Sequence, residues 1–150
     1  MKELLRQASD LLGIPFLDDV IIELVDSISE YVSKDDINYY TERKETIDIA
    51  NGLFYSRKDG KNVILIRNVD LVNLVATLIH EYVHLIDYTM LSIERRNENF
   101  RELQEDYIFL FWTEYHATYY SYKFLFALVV SVNRRKVDGG ERIKNKKQYS

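Results

Sequence analysis

The chain contains no cysteine among its 150 residues. This absence excludes a disulfide scaffold, a metal site built on thiolates and a cysteine nucleophile. Proline occurs once and glycine five times, which leaves little material for a long flexible linker. With 47% hydrophobic, 13% aromatic and 29% charged residues, the chain is predicted to fold as one globular domain.

The sequence also lacks an apolar run long enough to cross a bilayer. The longest run, Phe124 to Val132, is interrupted by Ser131, whereas a membrane-spanning helix needs about 20 residues. Charged residues are scattered through the first turns of the chain, so there is no apolar core of a secretory signal. These features predict a cytoplasmic protein that makes no contact with a membrane.

Charge is unevenly distributed along the chain, whose net charge is −4. Residues 133–150 carry seven Lys or Arg against Asp138 and Glu141, whereas the preceding residues are acidic. An acidic body is not expected to bind nucleic acid by general electrostatics. We interpret residues 1–132 as the domain and 133–150 as a basic, solvated tail. A nucleic-acid-associated regulator that acts through this tail remains an alternative.

Hydrophobic periodicity predicts helices at both ends of the chain and strands in the middle. The predicted helices are Lys2 to Leu12, Asp18 to about Ser33, Asp70 to about Ser92 and, with one break, Asn99 to Val132. The charged stretch Glu94 to Glu98 separates the last two. The predicted strands are Ile37 to Thr41, Thr46 to Arg57 and Asn62 to Ile66, the last two joined by a turn at 58–61. The fold class is therefore α+β.

The third predicted helix contains the motif His-Glu-x-x-His at residues 80–84. Side chains four positions apart lie on the same face of a helix, so His80 and His84 can direct two imidazoles at one ion. Glu81 lies one step round the helix, where its carboxylate can serve as a base beside the metal. The alternative is a pair of hydrogen-bonded histidines on a half-buried helix with no metal.

A catalytic zinc site needs a third protein ligand. The metzincin continuation fails, because Asp87 and Met90 stand where that pattern has glycine and histidine. Glu114 is the candidate, since it is a lone carboxylate in an aromatic, apolar stretch. We expect it to be buried, where a metal ion removes the cost of burying its charge. Ala117, one turn later, would let two helices approach closely; an exposed Glu114 is the alternative.

Two further polar residues accompany this pattern. Asp87 follows His84 by about one turn and can accept a hydrogen bond that orients its ring, although a solvated or otherwise paired Asp87 is equally compatible with the spacing. His116 lies two residues after Glu114 and so points to a different side of the helix. We interpret it as an ordinary histidine, with contact to a substrate or an oxyanion as the alternative.

These motifs resemble those of the IrrE/ImmA family of small metallopeptidases, which are zincins common on phages and other mobile elements. The resemblance covers the hairpin at residues 46–66, the motif at 80–84 and the segment Glu114 to Ala117. It departs at Tyr82 and Val83, where the family often has leucine and glycine. It implies a zincin-like fold, in which a small, mainly antiparallel sheet packs on helices.

The resemblance also implies a function and a role for each motif residue. Zn²⁺ would be bound by His80, His84 and Glu114, and Glu81 would be the catalytic base. The activity would be hydrolysis of peptide bonds, with limited cleavage of a protein such as a transcriptional repressor. The strand Asn62 to Ile66, if it is an edge, is a place where an extended substrate can add. The alternative is an inactive zincin that binds metal or a partner without cutting.

Overall fold

The computed structural model describes residues 1–94 and 100–146, except for the side chains of residues 132 and 134–146. Seven helices and three strands follow one another along these residues. In order they are α1 (Lys2–Leu12), β1 (Ile21–Val25), α2 (Ile28–Asp35), α3 (Ile37–Glu42), α4 (Lys44–Ile49), β2 (Gly52–Ser56), β3 (Asn62–Arg67), α5 (Leu71–Glu94), α6 (Phe100–Leu103) and α7 (Tyr107–Lys146). The predicted α+β class is confirmed.

The three strands form one sheet in the order β1-β3-β2. β2 is antiparallel to β3, whereas β1 is parallel to it, so the sheet is mixed rather than mainly antiparallel. In β3, the side chains from Val63 to Ile66 are all fully buried, because this central strand is covered on both faces. The suggestion that Asn62 to Ile66 is an edge strand is therefore wrong. β2 forms one outer edge of the sheet and β1 the other.

The predicted helix from Asp18 to Ser33 is wrong over its first half. The chain forms β1 there, and α2 begins only at Ile28. Ser27 caps this helix, because its hydroxyl accepts a hydrogen bond from the backbone N–H of Glu30. A capped start of this kind fixes where the helix begins. The apolar residues of β1 have spacings that suit either structure, and parallel pairing with β3 decides in favour of the strand.

The predicted strand at Ile37 to Thr41 is also wrong, because this segment is the helix α3. The Asp36 carboxylate accepts hydrogen bonds from the backbone N–H groups of Asn38 and Tyr39 and so caps the helix. The predicted strand from Thr46 to Arg57 divides into the end of α4 and the strand β2. An ion pair between Lys44 and Asp48, one turn apart, supports the helical half.

The other predicted elements are found. α1 ends at Gly13, whose φ of 70° is the left-handed cap that glycine favours, and the hairpin turns at Gly60 with φ of 81°. The break in the last helical region separates α6 from α7, which Asp106 caps. The predicted start at Asn99 and most of the charged stretch before it lie outside the described residues. The backbone of α7 continues past residue 132 to Lys146, so no element ends at the predicted start of the tail.

The long helix α5 lies at the centre of the packing, against the sheet on one side and against α7 on the other. One core cluster joins α1, α5 and α7 to one face of the sheet. A second cluster joins the helices α2, α3 and α4 to the other face. Tyr82 is fully buried in the first cluster, where its hydroxyl accepts from the Leu17 N–H at 2.7 Å and donates to the Pro15 carbonyl at 3.1 Å. This residue therefore anchors the loop after α1. Within the described residues, no helix combines the length and the apolar character needed to cross a membrane.

Strand β2 approaches α5 so closely that position 52 has no room for a side chain. A Cβ atom at Gly52 would lie 2.3 Å from Cγ2 of Thr77 and 2.9 Å from Cγ of Glu81. Both distances are shorter than van der Waals contact, so this glycine is required by the approach of the strand to the motif helix.

We expect Gly52→Ala to destabilise the protein by about 1–3 kcal/mol, since inserting a methyl group into a filled contact forces the backbone to shift. Chemical denaturation measures this change. Gly52→Ala combined with Thr77→Ser, which removes the nearest methyl group, should recover part of the loss. Equal stability of Gly52→Ala and the parent protein would show that the strand and helix are not in close contact.

Candidate metal centre

Three side chains that can ligate a metal converge between α5 and α7. The Nε2 atoms of His80 and His84 lie 3.0 Å apart, and each lies 3.4 Å from a carboxylate oxygen of Glu114. A tetrahedral site with bonds of about 2.0–2.1 Å separates its ligand atoms by roughly 3.3 Å. The two imidazole nitrogens contact different oxygens of Glu114, and one ligand atom from each of the three residues lies within 4.8 Å of the others, so this group could hold a metal ion.

The packing of α7 on α5 brings Glu114 to the two histidines. Thr113 and Ala117, one turn apart on α7, are both buried, whereas the larger aromatic residues around them point outward. Small side chains on the packed face let two helices approach closely. The neighbouring position, Glu114, then reaches the face of α5 that carries the motif.

The expectation that Glu114 is buried is wrong. Its side chain is 64% exposed, at the solvent side of the helix pair. Hydrogen bonds with His80 and His84 hold the pKa of this carboxyl well below its ordinary value. The case for Glu114 as a ligand therefore rests on its distances to the two imidazoles. Because the carboxylate is exposed, it needs no metal ion to offset a cost of burying its charge.

Glu81 is buried at the outer edge of β2, beside the three candidate ligands. One of its carboxylate oxygens accepts a hydrogen bond of 2.7 Å from the backbone N–H of Phe54. Burial raises the pKa of this carboxyl, against the opposing effects of the two histidines and of the Phe54 N–H. A carboxylate with a raised pKa accepts a proton more readily, which suits the role of a general base.

A chain of hydrogen bonds fixes the orientation of His84. Its Nδ1 lies 2.9 Å from Oγ1 of Thr113, which donates at 2.7 Å to a carboxylate oxygen of Asp87. Because the hydroxyl proton goes to Asp87, Nδ1 of His84 donates to Thr113, and Nε2, which faces Glu114, is the nitrogen that a metal would bind in place of a proton. Asp87 thus orients His84 through Thr113 rather than by direct contact. Sequence reasoning missed Thr113; its only signal was a polar residue in an apolar stretch.

His116 holds Asp87 from the other side. Its Nδ1 lies 2.8 and 3.0 Å from the two carboxylate oxygens of Asp87, and its ring stacks on Trp112 with centroids 4.8 Å apart. Burial raises the pKa of Asp87, while hydrogen bonds from Thr113 and His116 act against this rise. Neither Asp87 nor His116 belongs to the group of described residues that could hold an ion. Asp87 instead joins His116 to Thr113 through hydrogen bonds.

Negative charge dominates around the two histidines. Burial lowers the pKa of His84, but the hydrogen bond to Glu114 and the charges of Glu81, Glu114 and Asp87 outweigh this effect and raise it above its ordinary value. The same field that attracts a proton also attracts a cation. The electrostatics of the site therefore favour a positively charged group between the imidazoles and the carboxylate.

Two cavities reach this group. The larger, of about 580 Å³, is lined by His80, Glu81, His84 and Glu114, and by apolar side chains that include Leu53, Phe54, Leu110 and Phe111. The smaller, of about 360 Å³, is also lined by His80 and Glu81, together with Gly52, Thr77 and Tyr122. Both cavities are therefore bordered by the same histidine and the same carboxylate.

Comparison with models of known protein families, with curated proteins and with solved structures finds no match to this chain. The likeness to the IrrE/ImmA family therefore remains a resemblance of motif residues. The side chains themselves have to indicate what the site can do. They form a polar group at the junction of two cavities, with three candidate metal ligands and one buried carboxylate next to them.

We expect Thr113→Val to weaken zinc binding by about 10–100-fold, because supporting hydrogen bonds of metal ligands typically have effects of this size. Valine has nearly the same shape but cannot accept the His84 proton. Competition with a chelator of known affinity measures the change. Thr118→Val, at an exposed position of the same helix, is the matched control. Unchanged zinc affinity in Thr113→Val would show that the hydrogen-bond chain does not orient the ligand.

We expect the parent chain to bind one zinc ion and Glu114→Ala to lose more affinity than the roughly 10–100-fold of a supporting residue. Removing the carboxylate leaves two imidazoles, which do not complete a zinc site. Glu102→Ala and Glu105→Ala, which remove exposed carboxylates near α6, serve as controls for charge. Equal affinity in all three variants, measured by metal analysis after dialysis, would place the third ligand elsewhere.

Proposed function

We propose that this chain is a zincin-like, zinc-dependent metallopeptidase. The observation that carries the proposal is the arrangement of His80, His84 and Glu114 at 3.0–3.4 Å from one another, with the buried Glu81 beside them. Three protein ligands leave one position open for water or substrate, as in catalytic rather than structural zinc sites. The adjacent acid–base group supports hydrolysis over simple metal storage.

The donor set fits zinc better than other common ions. Two imidazoles and one carboxylate are typical zinc ligands, whereas calcium and magnesium prefer oxygen ligands throughout. The hydrogen bond from Nδ1 of His84 to Thr113 directs Nε2 of the same ring at the other candidate ligands. Zinc bound by these residues would supply a Lewis acid that activates water near neutral pH and polarises a carbonyl group.

The role of Glu81 follows from its position and its surroundings. Its carboxylate takes a proton from the attacking water and delivers it to the nitrogen of the leaving amine. The N–H of Phe54 holds one carboxylate oxygen in place, and the absence of a side chain at Gly52 leaves room for the group. The carboxylate is thereby fixed before a substrate binds, which reduces the reorganisation that the reaction requires.

The outer edge of β2 supports a peptide as the substrate. Hydrogen bonds at the two ends of the hairpin, Arg67 N–H to the Asn51 carbonyl and Arg57 N–H to the Lys61 carbonyl, fix which residues of β2 face β3. By alternation, the backbone groups of Gly52 and Phe54 face the outer edge. Since the Phe54 N–H is donated to Glu81, an extended peptide would pair through the Phe54 carbonyl and the Gly52 backbone, with its side chains in the apolar cavity.

The substrate class is then a protein with an exposed, extended segment. The family resemblance supports limited cleavage of a cytoplasmic transcriptional repressor, in a phage or another mobile element. Two separate cavities beside the edge of β2 suit the residues on the two sides of the cleaved bond. Each side of the scissile bond would then occupy one cavity.

We expect Glu81→Gln to bind zinc normally and to lose hydrolysis. Glutamine has nearly the same size and can still accept the Phe54 hydrogen bond, but it cannot take a proton from water. General base catalysis contributes typically 10²–10⁴-fold, so a loss of about this size or more is expected. Metal analysis and a cleavage assay with candidate repressor proteins provide the two measurements.

The same variant distinguishes an enzyme from a binding module. The proposal holds if the parent protein cleaves a partner that Glu81→Gln binds but leaves intact. If the parent and the variant have the same biological effect, the chain acts by binding, and the peptidase proposal is wrong. Gln104→Glu, on a residue that also lines the larger cavity, controls for a change of charge in that cavity.

A further inference from the structure

Helix α7 is apolar on two opposite faces, and the described part of the chain packs against only one of them. The inner face packs against the rest of the molecule through buried residues that include Phe109, Thr113, Ala117 and Phe124. The outer face presents a row of large side chains that are 48–84% exposed, namely Ile108, Trp112, Tyr115, Tyr119, Tyr122, Phe126 and Val129. We call this row the α7 seam. A helix that is apolar all round is normally buried all round.

The residues of the α7 seam recur in alternating steps of four and three along the helix, from Ile108 to Val129. This is the 3.5-residue repeat that marks the contact line between two packed helices. A helix that faces only solvent has no physical reason to keep such a repeat over three heptads. The spacing therefore indicates that another helix covers this face.

The exposed area of the α7 seam is that of a protein interface. Five of the seven side chains are aromatic, with about 150–250 Å² each, and at exposures of 48–84% the seam offers on the order of 800–1,000 Å². Contiguous apolar patches on a typical monomer rarely exceed about 300–600 Å². A standard interface buries about 800 Å² on each partner. The α7 seam is thus too large for an ordinary monomer surface and large enough for a stable dimer.

Charge is nearly absent along this stretch of α7. From residue 107 to residue 133, only Glu114 and Lys123 carry a formal charge. Glu114 faces the two histidines of α5, and Lys123 lies over the rings of Tyr119 and Tyr120, at 5.8 and 5.5 Å from their centroids. Depletion of charge is typical of the centre of an interface. An uncharged apolar surface is also complementary to a second copy of itself.

We propose that the α7 seam is the interface of a homodimer, in which α7 of one copy packs against α7 of a second copy about a two-fold axis. A second copy of the chain presents the same 3.5-residue repeat. In a dimer with two-fold symmetry the two seams bury each other, so neither seam stays exposed. Tyr122 belongs to the seam and lines the smaller cavity beside the metal centre. The partner helix therefore borders the entrance to the candidate active site.

The first test is the mass of the protein in solution, measured by sedimentation over a range of concentrations. The parent protein is expected to be a dimer of two 17.9 kDa chains. Phe126→Glu places a charge within the seam, in its C-terminal half, and should weaken dimerisation by about 30-fold or more. Leu11→Glu, at a 53% exposed position of α1, should leave the dimer intact. A dimer that persists in Phe126→Glu would overturn the proposal.

The second test does not depend on a destabilising charge. The chain has no cysteine, so a cysteine can be introduced at one seam position at a time. If the seams of two copies are in contact, a mild oxidant will link these cysteines by a disulfide. Cross-linked dimer is expected at one or more seam positions and not for Lys34→Cys, whose side chain is 73% exposed on α2. Monomeric parent protein at about 100 μM, or absence of cross-linking at all seam positions, would overturn the proposal.

Discussion

The rest of the candidate site depends on the packing of α7 against α5. This contact places Glu114 3.4 Å from both imidazoles, and it buries the hydrogen-bond chain from His84 through Thr113 to Asp87. A buried chain of this kind is stable only when every member has its partner. The helix packing and the ligand geometry are therefore one constraint, since neither can shift without breaking the other.

A second close approach, between β2 and α5, sets the position of the acid–base group. Gly52 gives the strand room to lie against Thr77 and Glu81, and the N–H of Phe54 then reaches the carboxylate. The same approach leaves the outer edge of β2 next to the candidate metal ligands. This close approach thus fixes both the Glu81 carboxylate and the position of the β2 edge.

Several features could be predicted from the sequence because they depend on local spacing. The positions of His80, Glu81 and His84 on one helix follow from helical geometry, and so do the hairpin and its turn at Gly60. The segment from residue 18 to residue 50 could not be predicted correctly. Its apolar spacings suit helix and strand alike, and caps at Ser27 and Asp36 together with pairing to β3 decide between them.

The sequence by itself determined that two imidazoles and a carboxylate share one helix and that no thiolate takes part. Only the tertiary structure decided that Thr113 links His84 to Asp87, that Glu114 is exposed, and that β2 rather than β3 is an edge of the sheet. The physical reason is the range of the interactions. Helical periodicity acts over a few residues. The contacts of Thr113 and Glu114 join residues about 30 positions apart, which meet only when α7 packs on α5, and the order of the sheet depends on the pairing of β1 with the distant β3.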